Sequence, residues 1–247
     1  MSSPLTLALL SACLATSLSC AQATNKSAPP EHTVPDTLAQ RLQACTGCHG
    51  PEGRATNNGF FPRIAGKPAG YLYHQLLNFR DGRRQNDGMR HLLDHLGDAY
   101  LRDIAQHFAS LDLPYPPPPP AQAPREQLAH GERLVRQGDA ARELPACTAC
   151  HGVRMTGVNP AVPGLLGLPR DYLIGQLGAW QTGLRKAHAP DCMAQIAQRL
   201  APADIAAVAS WLAAQPLPAD THPAPPSGQA LPLRCGTGGA SADGGRP

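Results

Sequence analysis

Apolar side chains recur at helical spacing in three pairs of segments along the chain. Ala69–Arg80 and Arg170–Gln181 each place a Tyr, two Leu and an aromatic ring on one stripe, with Gly82 and Gly183 positioned to stop the helix. Asp98–Leu111 and Pro202–Gln215 repeat the pattern, the second opening with proline in its first turn. Thr37–Cys45 and Arg125–Gln137 lead toward two cysteine-rich motifs; in the second case a Gly138-Asp139 break intervenes. No stretch alternates convincingly as a strand. The pattern predicts an all-α protein.

The pairing of segments extends to individual residues. Cys45-Thr46-Gly47-Cys48-His49-Gly50 recurs as Cys147-Thr148-Ala149-Cys150-His151-Gly152, and residues 61–84 match 162–185. Pro62 pairs with Pro163, Gly66 with Gly167, Tyr71 with Tyr172, Gln75 with Gln176, Leu76 with Leu177 and Phe79 with Trp180. Met89 then pairs with Met193, and Leu96, Leu101 and Ile104 with Leu200, Ile205 and Val208. So many matches in one order indicate a duplication. The predicted organisation is a first domain over 24–111, a linker over 112–124, a second domain over 125–215 and a flexible Pro/Gly-rich tail over 216–247. Five consecutive prolines make the linker a stiff, extended polyproline II spacer. The tail lacks apolar periodicity.

Residues 5–18 form an apolar run too short for a comfortable membrane span but suited to a signal-peptide core, and Ala21-Gln22-Ala23 offers a small-x-small cleavage site, so residues 1–23 are expected to be removed. No Lys or Arg precedes Lys26, which is unusual for such a segment. Two rival readings are an uncleaved anchor and lipidation of Cys13 in Leu10-Ser11-Ala12-Cys13, which would associate the protein with a membrane surface. Each reading places the chain outside the cytoplasm, with a soluble periplasmic protein expected.

Composition narrows the class further. A balance of 21 basic against 18 acidic residues lacks the excess expected of a nucleic-acid binder. Each half carries about +2 by formal count. Hydrophobic residues make up 42% of the chain but aromatics only 4%, so two domains would have thin cores unless something else fills them.

Cys-x-x-Cys-His is the attachment signature of c-type haem. Two thiols one turn apart reach two vinyl groups on one porphyrin edge, and the adjacent imidazole faces the iron. Cys45, Cys48 and His49, and Cys147, Cys150 and His151, are therefore assigned to two covalent haem c groups. The competing readings are zinc, a thioredoxin-like redox pair or plain buried thiols; a four-cysteine zinc site would require neither the adjacent histidines nor the repeat. A covalently fixed porphyrin also answers the shortage of rings, because it acts as an apolar core for each half.

Met89 and Met193 lie 40 and 42 residues beyond their histidines, each before the last helix of its half, and are the candidate sixth ligands. Met155, four residues past His151, is read as packing or surface. His74, His91, His95, His107, His130 and His188 have no clear repeat partners; His91, two residues past Met89, leaves a bis-histidine first site conceivable. Pro62 and Pro163 are placed to offer a carbonyl to each histidine Nδ1–H. Cys192 and Cys235 remain over, and sequence leaves open whether they pair.

With these residues set out, the chain resembles dihaem class I cytochromes c of the cytochrome c4 type over about 36–215. The resemblance rests on both CxxCHG motifs, the run from Gly138 to Cys147, the Pro-x-x-x-Gly…Tyr-Leu…Gln-Leu segments and both methionine-to-helix endings. It departs in the Pro-rich linker, the Cys-bearing tail and Arg90-His91-Leu92 after the first methionine. The resemblance implies two cytochrome c-like helical domains with His/Met haem that pass single electrons in the periplasm. Implied partners are a cytochrome bc-type complex as donor and a terminal oxidase or reductase as acceptor. Alternatives are a haem subunit of a periplasmic dehydrogenase or oxidase, and a dihaem peroxidase, which needs an open iron position. Because haem is read as the core of each half, Cys45→Ala with Cys48→Ala is expected to leave the first half largely unfolded; far-UV circular dichroism with native helicity there would contradict it.

Overall fold

The computed structural model describes residues 37–237 except 57, 227 and 229, so the predicted signal peptide lies outside the described residues. The described residues belong to one compact unit. In the first half run α1 (Leu38–Arg41), α2 (Gln43–His49), α3 (Ala69–Arg80), α4 (Asp87–Leu93) and α5 (Asp98–Ala109). The second half has α6 (Arg125–Arg136), α7 (Thr148–His151), α8 (Arg170–Gln181), α9 (Cys192–Gln198) and α10 (Pro202–Ala213). One two-residue hairpin, β1 (Gly157–Val158) with β2 (Val162–Pro163), is the only strand pairing in a named sheet among the described residues. The protein is all-α, as expected.

Each half closes over its own apolar cluster. In the first, Leu72 and Phe79 of α3 meet Leu101, Ile104 and Phe108 of α5. In the second, Leu134 and Val135 of α6, Leu173 of α8 and Ile205, Val208, Trp211 and Leu212 of α10 pack together. Helix α6 crosses α10 closely, since a Cβ on Gly131 would run into the backbone of Ala207. Only glycine lets those axes approach so near.

The short helices α4 and α9, which carry Met89 and Met193, were not expected as helices. Their signal lies in the caps: Asn86 and Asp191 accept backbone N–H groups in the first turn. Seven residues are too few for apolar periodicity to register.

The described residues between 216 and 237 differ from the flexible tail expected there. Ala224 donates to Gly157 O (2.9 Å) and accepts from Asn159 N (2.8 Å), so it lies alongside the hairpin. Arg154 pairs with Asp220 at 2.6 Å. Cys192 and Cys235 form a disulfide across 43 residues, which answers the open question of their pairing. Backbone pairing and a crosslink hold the strap without the apolar repeat that sequence reading looks for. The linker is also held at its start: buried Arg63 donates to Leu113 O (2.6 Å) and Pro114 O (3.2 Å) beneath the Tyr115 ring.

A polar network locks α6 and α10 to the turn before the second motif. Asp204 accepts from Arg142 (2.6 Å), His130 (2.6 Å) and the Ala201 backbone N–H (2.9 Å). Burial alone would raise the Asp204 carboxyl, but these hydrogen bonds outweigh it and hold it below the usual carboxylate range. A depressed carboxyl contributes stability above its unfolded value, about 3.9, and loses it as pH falls through the folded value. Asp204→Asn is therefore expected to destabilise the protein near neutrality by about 3 kcal/mol and to flatten the acid limb of its stability profile; thermal unfolding from pH 7 down to pH 3 measures both effects.

Candidate haem-binding sites

Each Cys-x-x-Cys-His motif sits at the end of a short helix that turns sharply at a glycine. Gly50 and Gly152 follow the histidines with φ of 77° and 82°, a left-handed conformation that frees the chain to leave the helix beside the imidazole. His49 and His151 are 8% and 7% exposed, although both are ionisable. His49 Nδ1–H donates to Pro62 O and His151 Nδ1–H to Pro163 O, both at 2.8 Å. The proline carbonyls therefore fix the tautomer and leave Nε2 of each ring with its lone pair. Burial lowers both histidines' affinity for a second proton, and the Arg84 charge acts in the same direction on His49. Both rings are held neutral and aimed.

Cys45, Cys48, Cys147 and Cys150 are free thiols. Burial raises Cys45 and Cys150, and pushes Cys147 up to about 11. Among the described residues no three His, Cys, Asp or Glu side chains gather as a metal site, so the two pairs do not form a shared four-cysteine site.

The methionines take equivalent but differently built positions. Met89 is half-buried against the first apolar cluster, and its own N–H is capped by Asn86 Oδ1 at 3.0 Å. Met193 is half-buried as the second residue of α9, where Asp191 caps Ala194 instead, at 3.0 Å. Met155 is buried (3%) in the second cluster and is packing. It occupies the place of Gly53: Met155 O accepts from Leu165 and Leu166 as Gly53 O does from Ile64 and Ala65. A side chain on Gly53 would strike Ile64 and crowd Phe108, whose repeat partner is the smaller Leu212. His91 and His95 are exposed on the first half's surface.

Between the halves lies a layer that sequence reading did not single out. Arg84 and Arg185 bridge as antiparallel partners, with Gln85 N donating to Leu184 O (2.8 Å) and Lys186 N to Arg83 O (2.7 Å). Arg84 donates to Gln75 (2.9 Å), Gln176 (2.6 Å) and Tyr172 (3.0 Å). Arg185 donates to Gln176 (2.8 Å), Gln75 (3.1 Å) and Tyr71 (3.5 Å). Each guanidinium also covers its own half's ring, Phe79 at 4.4 Å and Trp180 at 3.8 Å. The set is pseudo-symmetric, built from residues the repeat pairs. The available signal was the Arg at the end of each matched segment.

Among the described residues neither Arg84 nor Arg185 has a carboxylate partner. Arg185 is 5% exposed, and burial together with Arg84 lowers its pKa. Burial would raise Tyr172, but the two arginines outweigh it and lower it. Trp180 Nε1, His74 Nδ1, Thr56 Oγ1 and Thr156 Oγ1 are buried without hydrogen-bond partners. Buried cations and idle donors beside two thiol–imidazole motifs fit a porphyrin that brings its own carboxylates. Two small helical halves with such motifs define a dihaem c-type cytochrome.

No protein-family model matches the chain. The thiosulfate dehydrogenase electron acceptor of Thiomonas intermedia is 37% identical over 194 residues, 77% of this chain and 82% of that protein. Cytochrome c4 of Pseudomonas aeruginosa is 35% identical over 185 residues, 73% of this chain and 89% of that one. The solved thiosulfate dehydrogenase TsdBA of Marichromatium purpuratum superposes with a TM-score of 0.63 at 32% identity, covering 70% of this chain but only 36% of that longer one. The chain belongs to the cytochrome c4 family. It is an electron carrier that binds two covalent haem c groups.

A cation near an iron favours its reduced state. Because the Arg84 charge is felt at His49, Arg84→Gln is expected to lower the potential of one haem by on the order of 50 mV, close to a tenfold change in a one-electron equilibrium; a haem-resolved redox titration reads the shift.

Proposed function

We propose that this chain is a periplasmic carrier that takes single electrons from a thiosulfate-oxidising dehydrogenase and delivers them to a terminal oxidase or reductase. The observation that carries the donor assignment is the 37% identity, spanning both motifs, with a protein named for accepting electrons from thiosulfate dehydrogenase. The match to a segment of the TsdBA chain supports it. The bc-type complex implied by the family resemblance is the competing donor.

On this reading, residues 24–111 and 125–215 each form one haem domain. Cys45 and Cys48, and Cys147 and Cys150, tether the two groups through thioethers. His49 and His151 would each give the iron a nitrogen ligand, and Met89 and Met193 a sulfur ligand. Bound haem c supplies a one-electron iron couple. The protein's part is to keep the imidazoles neutral and oriented through Pro62 and Pro163, to exclude water, and to neutralise buried carboxylates with Arg84 and Arg185. Exposed Phe60 (64%) and Val153 (84%) lie close in sequence to the two attachment histidines and offer a partner apolar contact. Small surfaces of this kind suit rapid, weak docking. Among the described residues no helix is long and apolar enough to cross a membrane.

Stopped-flow mixing of the oxidised protein with thiosulfate and a purified thiosulfate dehydrogenase tests the donor. Reduction of both haems within the enzyme's turnover time is expected. Reduction by a quinol-fed bc complex alone, with none from the dehydrogenase, would overturn the assignment.

A further inference from the structure

The two methionines reach their sites by paths of different length. Five positions separate Arg84 from Met89, and eight separate Arg185 from Met193. Both paths start from the same interface, since the two arginines bridge each other. The second loop therefore has three more residues between interface and methionine, and a longer loop has more conformational freedom to lose. The first half removes that freedom locally, because Asn86 caps the amide of Met89 itself. In the second half the cap from Asp191 falls on Ala194, one residue past Met193.

What holds the longer loop comes from the far end of the chain. Cys235 is disulfide-bonded to Cys192, the residue immediately before Met193. Next to it, Gly236 N donates to Pro190 O at 2.9 Å. A Cβ on Gly236 would overlap the backbone oxygens of His188 and Ala189, so the strap lies directly on the loop. Asp191 ties the other side, accepting from Ala187 N at 2.7 Å as well as from Ala194 N. The strap is itself held upstream by Ala224 on the hairpin that carries Pro163, the carbonyl partner of His151. One segment thus touches the supports of both candidate ligands of the second site.

We propose that the Cys192–Cys235 disulfide and the strap it closes are the positioning element for Met193, replacing the direct cap that serves Met89. The proposal rests on the reading of Met193 as sixth ligand. A thioether is a weak, neutral ligand, so its grip on iron depends on how little the backbone behind it can move. Releasing the strap should leave the first site unchanged and make the second open to outside ligands.

The test uses full-length, oxidised holoprotein as wild type, Cys235→Ser and Met193→Ala. Three quantities are measured: the far-red sulfur-to-iron absorbance, equilibrium binding of imidazole, and the two midpoint potentials. In Cys235→Ser, one of the two haems is expected to bind imidazole roughly tenfold more tightly than in wild type, with a lower potential and weakened far-red absorbance. Wild-type holoprotein whose disulfide is reduced by a phosphine and capped with iodoacetamide should behave the same way, which keeps the test open if the variant fails to mature. If both forms bind imidazole as wild type does, while Met193→Ala loses half of the far-red band, the strap proposal is overturned and the ligand reading stands. If Met193→Ala keeps the whole band, the ligand reading falls and the strap proposal with it.

Discussion

One buried and one half-buried guanidinium, side by side, set the terms for the rest of this molecule. Arg84 and Arg185 meet only neutral oxygens, from Gln75, Gln176, Tyr71 and Tyr172, and covering rings from Phe79 and Trp180. Like charges in a low-dielectric layer repel, and hydrogen bonds to neutral groups offset only part of the cost of stripping them of water. A carboxylate-bearing porphyrin would supply the missing sign. Docking of the halves and loading of haem would then be one problem, because Arg84 and Arg185 would serve as counterions to the bound group.

Much of this was legible in the sequence because the duplication wrote it twice. Helices 69–80 and 170–181 emerge from stripes of Tyr, Leu and aromatic residues that each half confirms for the other. Pro62 and Pro163 stood 13 and 12 residues beyond the histidines, and their carbonyls do meet the Nδ1–H groups. The interface arginines ended both matched segments, yet nothing in a linear pattern says that two such ends face each other. Residues 216–237 were hidden for a different reason. Their order comes from the backbone of Ala224, an ion pair at Asp220 and a disulfide, none of which leaves an apolar period. Met155, read as packing or surface, is packing, although its counterpart Gly53 is a glycine whose space is taken by Ile64 and Phe108.

The duplication has been kept where the chemistry is shared and altered where it need not be. On the histidine side the halves agree closely: the same turn at a left-handed glycine, the same carbonyl partner and the same 2.8 Å separation. On the methionine side they diverge in loop length, cap and crosslink. Packing behind the sites diverges too, with Gly53 and Phe108 in one half against Met155 and Leu212 in the other.

That division has a consequence for a carrier with two irons in one chain. Imidazole orientation sets the basicity of the stronger ligand, so identical proximal sides give the two sites a common baseline. On the proposed His/Met ligation, the weaker sulfur ligand and its surroundings would then be the adjustable part, because small changes in its support alter how far the reduced iron is favoured. A direct cap on one methionine and a strap on the other would give each site its own control without disturbing the layer they share. Divergence on the methionine side, together with the altered packing behind the sites, would then separate the two potentials while the interface keeps its symmetry.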